Sequence, residues 1–220
     1  VDTVTELVTT STALAVMKVA KEKDRIVIMN GPASTPITNE QCNDVSVHYT
    51  YDTYALANGT ARAVTQQGGK NWFFLTADYA FGQALEKDAS AVVTANGGKV
   101  LGSVRHPFPG SDFSSFLLKA QASGAQVIGL ANAGADTTNA IKQAAEFGIT
   151  PKQSLAGLLM FITDIHALGL KPTVWHVNEG HAAFLILARI RNLVSCGLPY
   201  AAAIEAVAAS PRGQARKTSP

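Results

Sequence analysis

Three short stretches place hydroxyls and small residues where an extended run gives way to a helix: Thr9-Thr10-Ser11, Gly31-Pro32-Ala33-Ser34-Thr35 and Asp78-Tyr79. The first N–H groups of a helix have no intrahelical acceptor and sit at the positive end of its dipole. Together with hydroxyl donors they make a neutral cradle for a small anion such as a carboxylate. Tyr79 adds an aromatic wall or a hydrogen bond. Ser and Thr also cap helices with no ligand present, and any one of these loops taken alone is better explained as a cap. Three of them, one with an aromatic residue, point to a ligand site. The sequence has no nucleophile elbow, no glycine-rich loop of the P-loop or dinucleotide type, and no carboxylate pair that spacing alone would bring together. The chemistry expected is capture, not conversion.

His176, Glu179 and His181 form an HxxExH run. This is not the HExxH order that sets two zinc ligands one helical turn apart, and no third ligand accompanies it, so no metal is expected. Cys42 and Cys196, the only cysteines, stand in unrelated surroundings, with no metal spacing and no support for a disulfide. Asn58-Gly59-Thr60 fits a glycosylation sequon but falls inside an expected helix, and is discounted.

Positioning the three loops requires strands that end at them. Trp72-Phe73-Phe74-Leu75 is an unbroken apolar run too short for a buried helix, and it suits a parallel strand covered on both faces. A helix is expected over residues 83–95, with Leu85, Ala89 and Val92 along one side, stopped by Asn96-Gly97-Gly98. Residues 99–104 start the next strand. This βαβ unit puts Tyr79 in the loop where open parallel sheets bind ligands. Around it the pattern predicts strands at 4–8, 25–29, 45–50, 126–130 and 155–161. Helices are expected from Thr9–Thr12 to about residue 23 and over residues 52–67. Two more open at Ser111 (with Phe113, Phe116, Leu117 and Ala120) and at Asp136 as cap (with Ile141, Ala144 and Ala145). Regular alternation of strand and helix argues for a parallel α/β architecture with right-handed crossovers.

At 220 residues the chain holds one large or two small domains. No window of about twenty residues is free of charge, so no membrane span is expected. The net charge of +2 conceals an asymmetry: residues 1–170 carry 12 Lys and Arg against 14 Asp and Glu, and residues 171–220 carry 6 against 2. That shift marks a boundary. The basic excess is scattered and lacks aromatic platforms, so nucleic acid is not an expected partner. No amino-terminal signal pattern is present.

Residues 1–170 resemble periplasmic solute-binding proteins of ABC importers, of the branched-chain amino acid type. The resemblance is carried by ALAVMKVAKEKDRIVI, HYTYDTYALANGTARAV, GGKNWFFLTADYAFGQALEKD, GGKVLGSVRHP, SDFSSFLLKAQASGAQVIGLANAGADTTNAIKQAAEFGI and LAGLLMFITDIHALGL. It implies a type I binding-protein fold with two parallel-sheet lobes: a partial first lobe at 1–50, a hinge crossing and helix at 51–70, and a second lobe at 71–170. It also implies a periplasmic location, membrane permease subunits as partners, a small solute as ligand, no enzymatic activity and no cofactor. By the same resemblance, Thr10 and Ser11 lie in the loop that holds a ligand carboxylate. Ala33, Ser34 and Thr35 supply a carbonyl, an amide and a hydroxyl, and Tyr79 is a cleft aromatic. Where amino-acid-binding members place another tyrosine, this chain has Asn132-Ala133-Gly134 and then Ala135-Asp136. Ala133 and Asp136 therefore join the expected site, and an aromatic acid or an amide becomes as plausible as a leucine-like solute. The resemblance further implies that the family's first βα units and everything after the second lobe's fourth strand are missing, and that this chain alone binds ligand weakly or not at all.

Residues 172–210 resemble a segment of bacterial α-glucan (glycogen) phosphorylases through WHVNEGHAAFL and RIRNLV. That implies a helical segment at 171–210, joined to the preceding sequence near residues 169–172 and followed by a disordered tail at 211–220. The alternatives to solute binding are thus a phosphorylase fragment, opposed by the missing cofactor lysine, and a sensor domain of the same two-lobed fold.

Overall fold

The computed structural model describes residues 1–161, Asp164 and residues 167–169. The expected helical segment and tail at 171–220, with His176, Glu179 and His181, lie outside the described residues. In chain order the elements are β1 (Thr3–Val4), α1 (Thr10–Glu22), β2 (Ile26–Met29), β3 (Ser46–His48), α2 (Thr53–Gln66), β4 (Asn71–Ala77) and α3 (Ala80–Ala95). They continue with β5 (Lys99–His106), α4 (Ser114–Ala122), β6 (Val127–Ala131), α5 (Ala135–Glu146) and β7 (Ser154–Gly157). A 3-10 turn spans Thr35–Ile37.

β4 is the strand against which the larger sheet is laid. All its residues from Trp72 to Ala77 are buried. Because successive side chains point to opposite faces, Trp72 and Phe74 enter a core with Ala57 and Ala61 of α2 and Leu85, Ala89 and Val93 of α3. Phe73 and Leu75 enter another, with Leu117 of α4 and Ala140 and Ala144 of α5. Each such side chain fully removed from water contributes about 1.5–3 kcal/mol. The indole N–H of Trp72 donates to Gly69 O at 2.7 Å. The sheet is all parallel, in the order β5-β4-β6-β7.

A smaller parallel sheet, β1-β2-β3, precedes it. Val27 and Met29 pack under Ala13, Met17 and Ala20 of α1. Ile26, Ile28 and Val47 point the other way and are exposed; no described element covers that face.

Several boundaries differ from the sequence expectation. The strand expected at 4–8 stops at Val4, because Glu6 turns into the left-handed region (φ 62°) and sends Leu7–Thr9 off as a loop. The helix expected from Ser111 starts at Ser114, where the Asp112 carboxylate accepts from both the backbone N–H and the hydroxyl of Ser114 and holds a turn. Asp136 does not cap α5: Gly134, at φ 61°, is the N-cap, and Asp136 lies inside the first turn with its carboxylate directed elsewhere. The strand expected over 155–161 ends at Gly157.

α3 begins so close to the larger sheet that a Cβ on Gly82 would lie 2.1 Å from Ala77 O and 3.0 Å from Ala131 O. Gly82 thus lets the first turn of α3 rest on the carboxyl ends of β4 and β6. Gly82→Ala is expected to destabilise the protein by at least about 2 kcal/mol in urea unfolding, since backbone carbonyls cannot yield as side chains do. Gly59, mid-helix in α2 with nothing within 4 Å of a built Cβ, is the internal control. Gly59→Ala is expected to stabilise by about 0.5–1 kcal/mol. Equal effects of the two would refute the close-approach account.

Candidate functional site

The loops leaving the carboxyl ends of strands in both sheets face a common cleft of about 570 Å³. From the smaller sheet come Val8–Thr10 and Asn30–Ala33. From the larger come Tyr79 and Phe81 after β4, Phe108 and Pro109 after β5, Ala133–Asp136 after β6, and Leu159 and Phe161 beyond β7.

On the first wall, Thr9 is the N-cap of α1 but gives the helix no side-chain cap. Its hydroxyl donates to Thr12 Oγ1 at 2.9 Å instead, so the first turn keeps free N–H groups at its positive end. Thr10 is buried, and its hydroxyl is 2.8 Å from that of Ser34, also buried. This bond ties the loop after β2 to the start of α1 and places Ala33 on the wall. Ser11 is exposed and does not line the cleft. Ser34 acts from behind through Thr10.

Thr35 is turned away. It begins the 3-10 turn, and its hydroxyl bonds Thr53 Oγ1 and Asp88 Oδ2. Its N–H donates to Thr53 Oγ1 at 3.1 Å, and Thr53 Oγ1 donates to Asp88 Oδ2 at 2.5 Å. These three residues clasp the loop after β2 to α2 and α3, beside a separate hollow that Thr35 and Asp88 line.

The second wall is aromatic. Tyr79 stacks on Phe108 with ring centroids 4.4 Å apart at 20°, and tilts against Phe81 at 6.0 Å. Burial, helped by the charge of Asp136, pushes the Tyr79 phenol up to about 12, so it remains a neutral hydroxyl.

Behind the aromatic pair lies a buried polar network. His106, at the end of β5, packs edge-on against Phe113 at 4.8 Å. His106 Nδ1 lies 2.9 Å from Pro107 O, which can only accept, so Nδ1 carries the proton. His106 Nε2 then accepts from Asn132 Nδ2 at 3.1 Å, and Asn132 Oδ1 accepts from Thr137 Oγ1 at 2.8 Å. Asp136 Oδ1 accepts from Gly110 N at 3.1 Å. Asp136 Oδ2 is 3.7 Å from His106 Nδ1, beyond hydrogen-bond reach, and has no partner among the described residues although it is fully buried. Burial raises the Asp136 carboxyl above its ordinary value, against the opposing pull of the Gly110 N–H and of His106.

Of the eight residues expected from sequence, Thr10, Ala33, Tyr79, Ala133 and Asp136 line the cleft, and Ser11, Ser34 and Thr35 do not. Phe81, Phe108, Phe161 and Tyr51 also line it, and the sequence reading passes over them, as it does His106 behind the wall. Phe108 and Pro109 were within reach of a rule already in use, since they follow a strand of the same parallel sheet. Tyr51 and Phe161 carried no signal, because their approach depends on where α2 and the chain after β7 pack.

A sequence model described as periplasmic binding protein matches residues 1–174. The solved structure of a periplasmic binding protein from Burkholderia mallei is 53% identical, with a TM-score of 0.79 over 94% of this chain and 58% of that one. An ABC transporter solute-binding protein from R. palustris, solved in complex with 4-hydroxybenzoate, superposes with a TM-score of 0.70 at 21% identity, covering 93% of this chain and 59% of that one. Leu/Ile/Val-binding protein homolog 6 of Brucella abortus (strain 2308) is 29% identical over 118 residues, which are 53% of this chain and 30% of that protein. The chain thus spans less than two thirds of the length of these relatives. The expected phosphorylase resemblance falls outside the described residues and is not supported by these matches.

Asp136→Asn keeps an acceptor for Gly110 and removes the buried charge. A carboxyl whose folded-state pKa lies above its ordinary 3.8 holds its proton more tightly folded than unfolded. Its ionisation therefore costs stability, increasingly as pH rises above that value, and the cost levels off above the folded-state pKa. The Asn variant is expected to melt a few degrees higher than the parent at about pH 7, with the gain vanishing towards pH 4. A variant that melts at or below the parent at neutral pH would refute the unpaired-oxygen account.

Proposed function

The chain belongs to the periplasmic binding protein family, and from that premise we propose that it captures a small organic carboxylate with an apolar body as the solute-binding component of an ABC importer. In this reading residues 1–50 and 71–170 are the two lobes and 51–70 the crossing between them. The partners are membrane permease subunits and the location is the periplasm.

One observation carries the reading: a cleft of about 570 Å³ joins an uncapped helix start to a stacked aromatic pair. The ligand carboxylate faces the N–H groups of α1 and the Thr10 hydroxyl, where partial charges replace water without a fixed cation. The apolar body lies against Tyr79, Phe108 and Phe81. A site built from dipoles holds an anion reversibly, as a carrier must. The names of the relatives fit this class, since leucine, isoleucine, valine and 4-hydroxybenzoate are all small carboxylates.

Ligand-observed NMR on the whole chain, with benzoate and leucine as probes and glucose as the neutral control, tests the proposal. Benzoate or leucine is expected to bind and glucose not. Thr10→Val is expected to weaken carboxylate binding by about tenfold, the loss of roughly one hydrogen bond to a charged group. Carboxylates that bind no better than glucose would sink the proposal.

A further inference from the structure

The two walls of the cleft come from different sheets, and one small set of hydrogen bonds joins them. α3 carries Phe81 on the aromatic wall, and Asp88 lies seven residues further along the same helix. Seven residues are close to two helical turns, so Asp88 shares the face of α3 that holds Phe81. On the opposite wall Ala33 lines the cleft, and Thr35 follows two residues later in the same loop. Ala33 and Phe81 belong to one apolar cluster; beyond them the contact turns polar. There the hydroxyls of Thr35 and Thr53 both donate to Asp88 Oδ2, and the Thr35 N–H donates to Thr53 Oγ1 at 3.1 Å. Thr53 is fully buried, whereas Thr35 and Asp88 are partly buried beside a hollow of about 360 Å³. α2 and α3 cover the same face of the larger sheet. The Thr53–Asp88 bond therefore stays on one side and aims the carboxylate, and the Thr35–Asp88 bond crosses between the walls.

We propose that Asp88 is a positioning residue for solute capture: through Thr35 it holds the Ala33 wall against Phe81, and so governs how slowly a bound solute leaves. It touches no solute itself, since it lines the separate hollow and not the cleft. The inference rests on the solute-capture reading above and adds to it the residues that set residence time. A solute held between the two walls leaves when they part, and parting them breaks the bond from Thr35 to Asp88. Bonds to a carboxylate are roughly twice as strong as neutral ones, so this one resists. Entry takes place with the walls apart, where the crossing bond contributes nothing. Loss of the clasp therefore falls on the dissociation rate, the arm in which most differences among variants of one binding surface appear.

NMR line-shape titrations of the whole chain, with benzoate and with leucine, give association and dissociation rates separately. Asp88→Ala is expected to raise the dissociation rate of whichever probe binds by about tenfold, the loss of roughly one hydrogen bond to a charged group. Association is expected to stay within about twofold of the parent. Thr35→Val removes only the hydroxyl that crosses between the walls and is expected to do the same. The double variant is expected to be no faster than either single one, because both remove one shared bond. Unliganded melting temperatures establish that each variant is folded, and Thr35→Val carries the test if Asp88→Ala is not. Dissociation that stays within about twofold of the parent, or effects that add in the double variant, overturns the inference and leaves solute capture standing. Association slowed as much as dissociation is quickened makes the clasp a general structural support and overturns it as well. Failure of both probes to bind the parent chain removes the capture reading itself, and this inference with it.

Discussion

A single strand buried on both faces governs this molecule. Trp72 and Phe74 cannot be covered without α2 and α3, nor Phe73 and Leu75 without α4 and α5. Once helices occupy both faces, the neighbouring strands must run parallel to β4, because each crossover through a helix returns the chain to the same edge. Parallel strands then deliver all their carboxyl ends to one rim. The loops holding Tyr79, Phe108, Ala133 and Asp136 are neighbours for that reason, though up to 57 residues separate them in sequence. The chemistry of the cleft follows from the packing of a strand that lines no part of it.

The cleft combines two kinds of electrostatics. On the wall from the smaller sheet, the anion-attracting groups are backbone N–H groups and the Thr10 hydroxyl, fixed by the Thr10–Ser34 bond. On the opposite wall a buried carboxyl is kept partly unsatisfied. The first arrangement costs little, since helix starts are normally solvated. The second works against stability, and such local conflicts concentrate where a protein binds something. The Asp88 clasp with Thr35 and Thr53 belongs to neither wall. It joins the loop after β2 to α2 and α3 through hydroxyl-to-carboxylate bonds, and so holds the Ala33 wall against the larger sheet.

The parallel α/β class was legible in residues 1–161, because it rests on local signals: apolar runs of strand length, helical spacing, and glycines such as Gly97-Gly98 that end helices. Element existence was read well and element ends less so. Glu6 shortens β1 by adopting a conformation unusual for its type, and the Asp112 turn delays α4. The first depends on a single backbone torsion and the second on a local side-chain hydrogen bond, and composition encodes neither.

For the site, residue types and strand-end positions pointed to the loops of Thr10, Ala33 and Tyr79, which line the cleft, whereas Ala133 and Asp136 were expected only from the family resemblance. Direction was beyond sequence alone. Ser11, one residue from Thr10, and Thr35, two residues from Ala33, do not line the cleft, because a helix turns each successive side chain by about 100° and a 3-10 turn by about 120°. Nor could sequence show that Asp136 abandons its helix for Gly110, 26 residues upstream, or that His106 and Asn132 meet behind it. Those contacts join segments that lie on adjacent loops only after β4, β5 and β6 have paired. Residue chemistry was local information; its aim was set by the sheet.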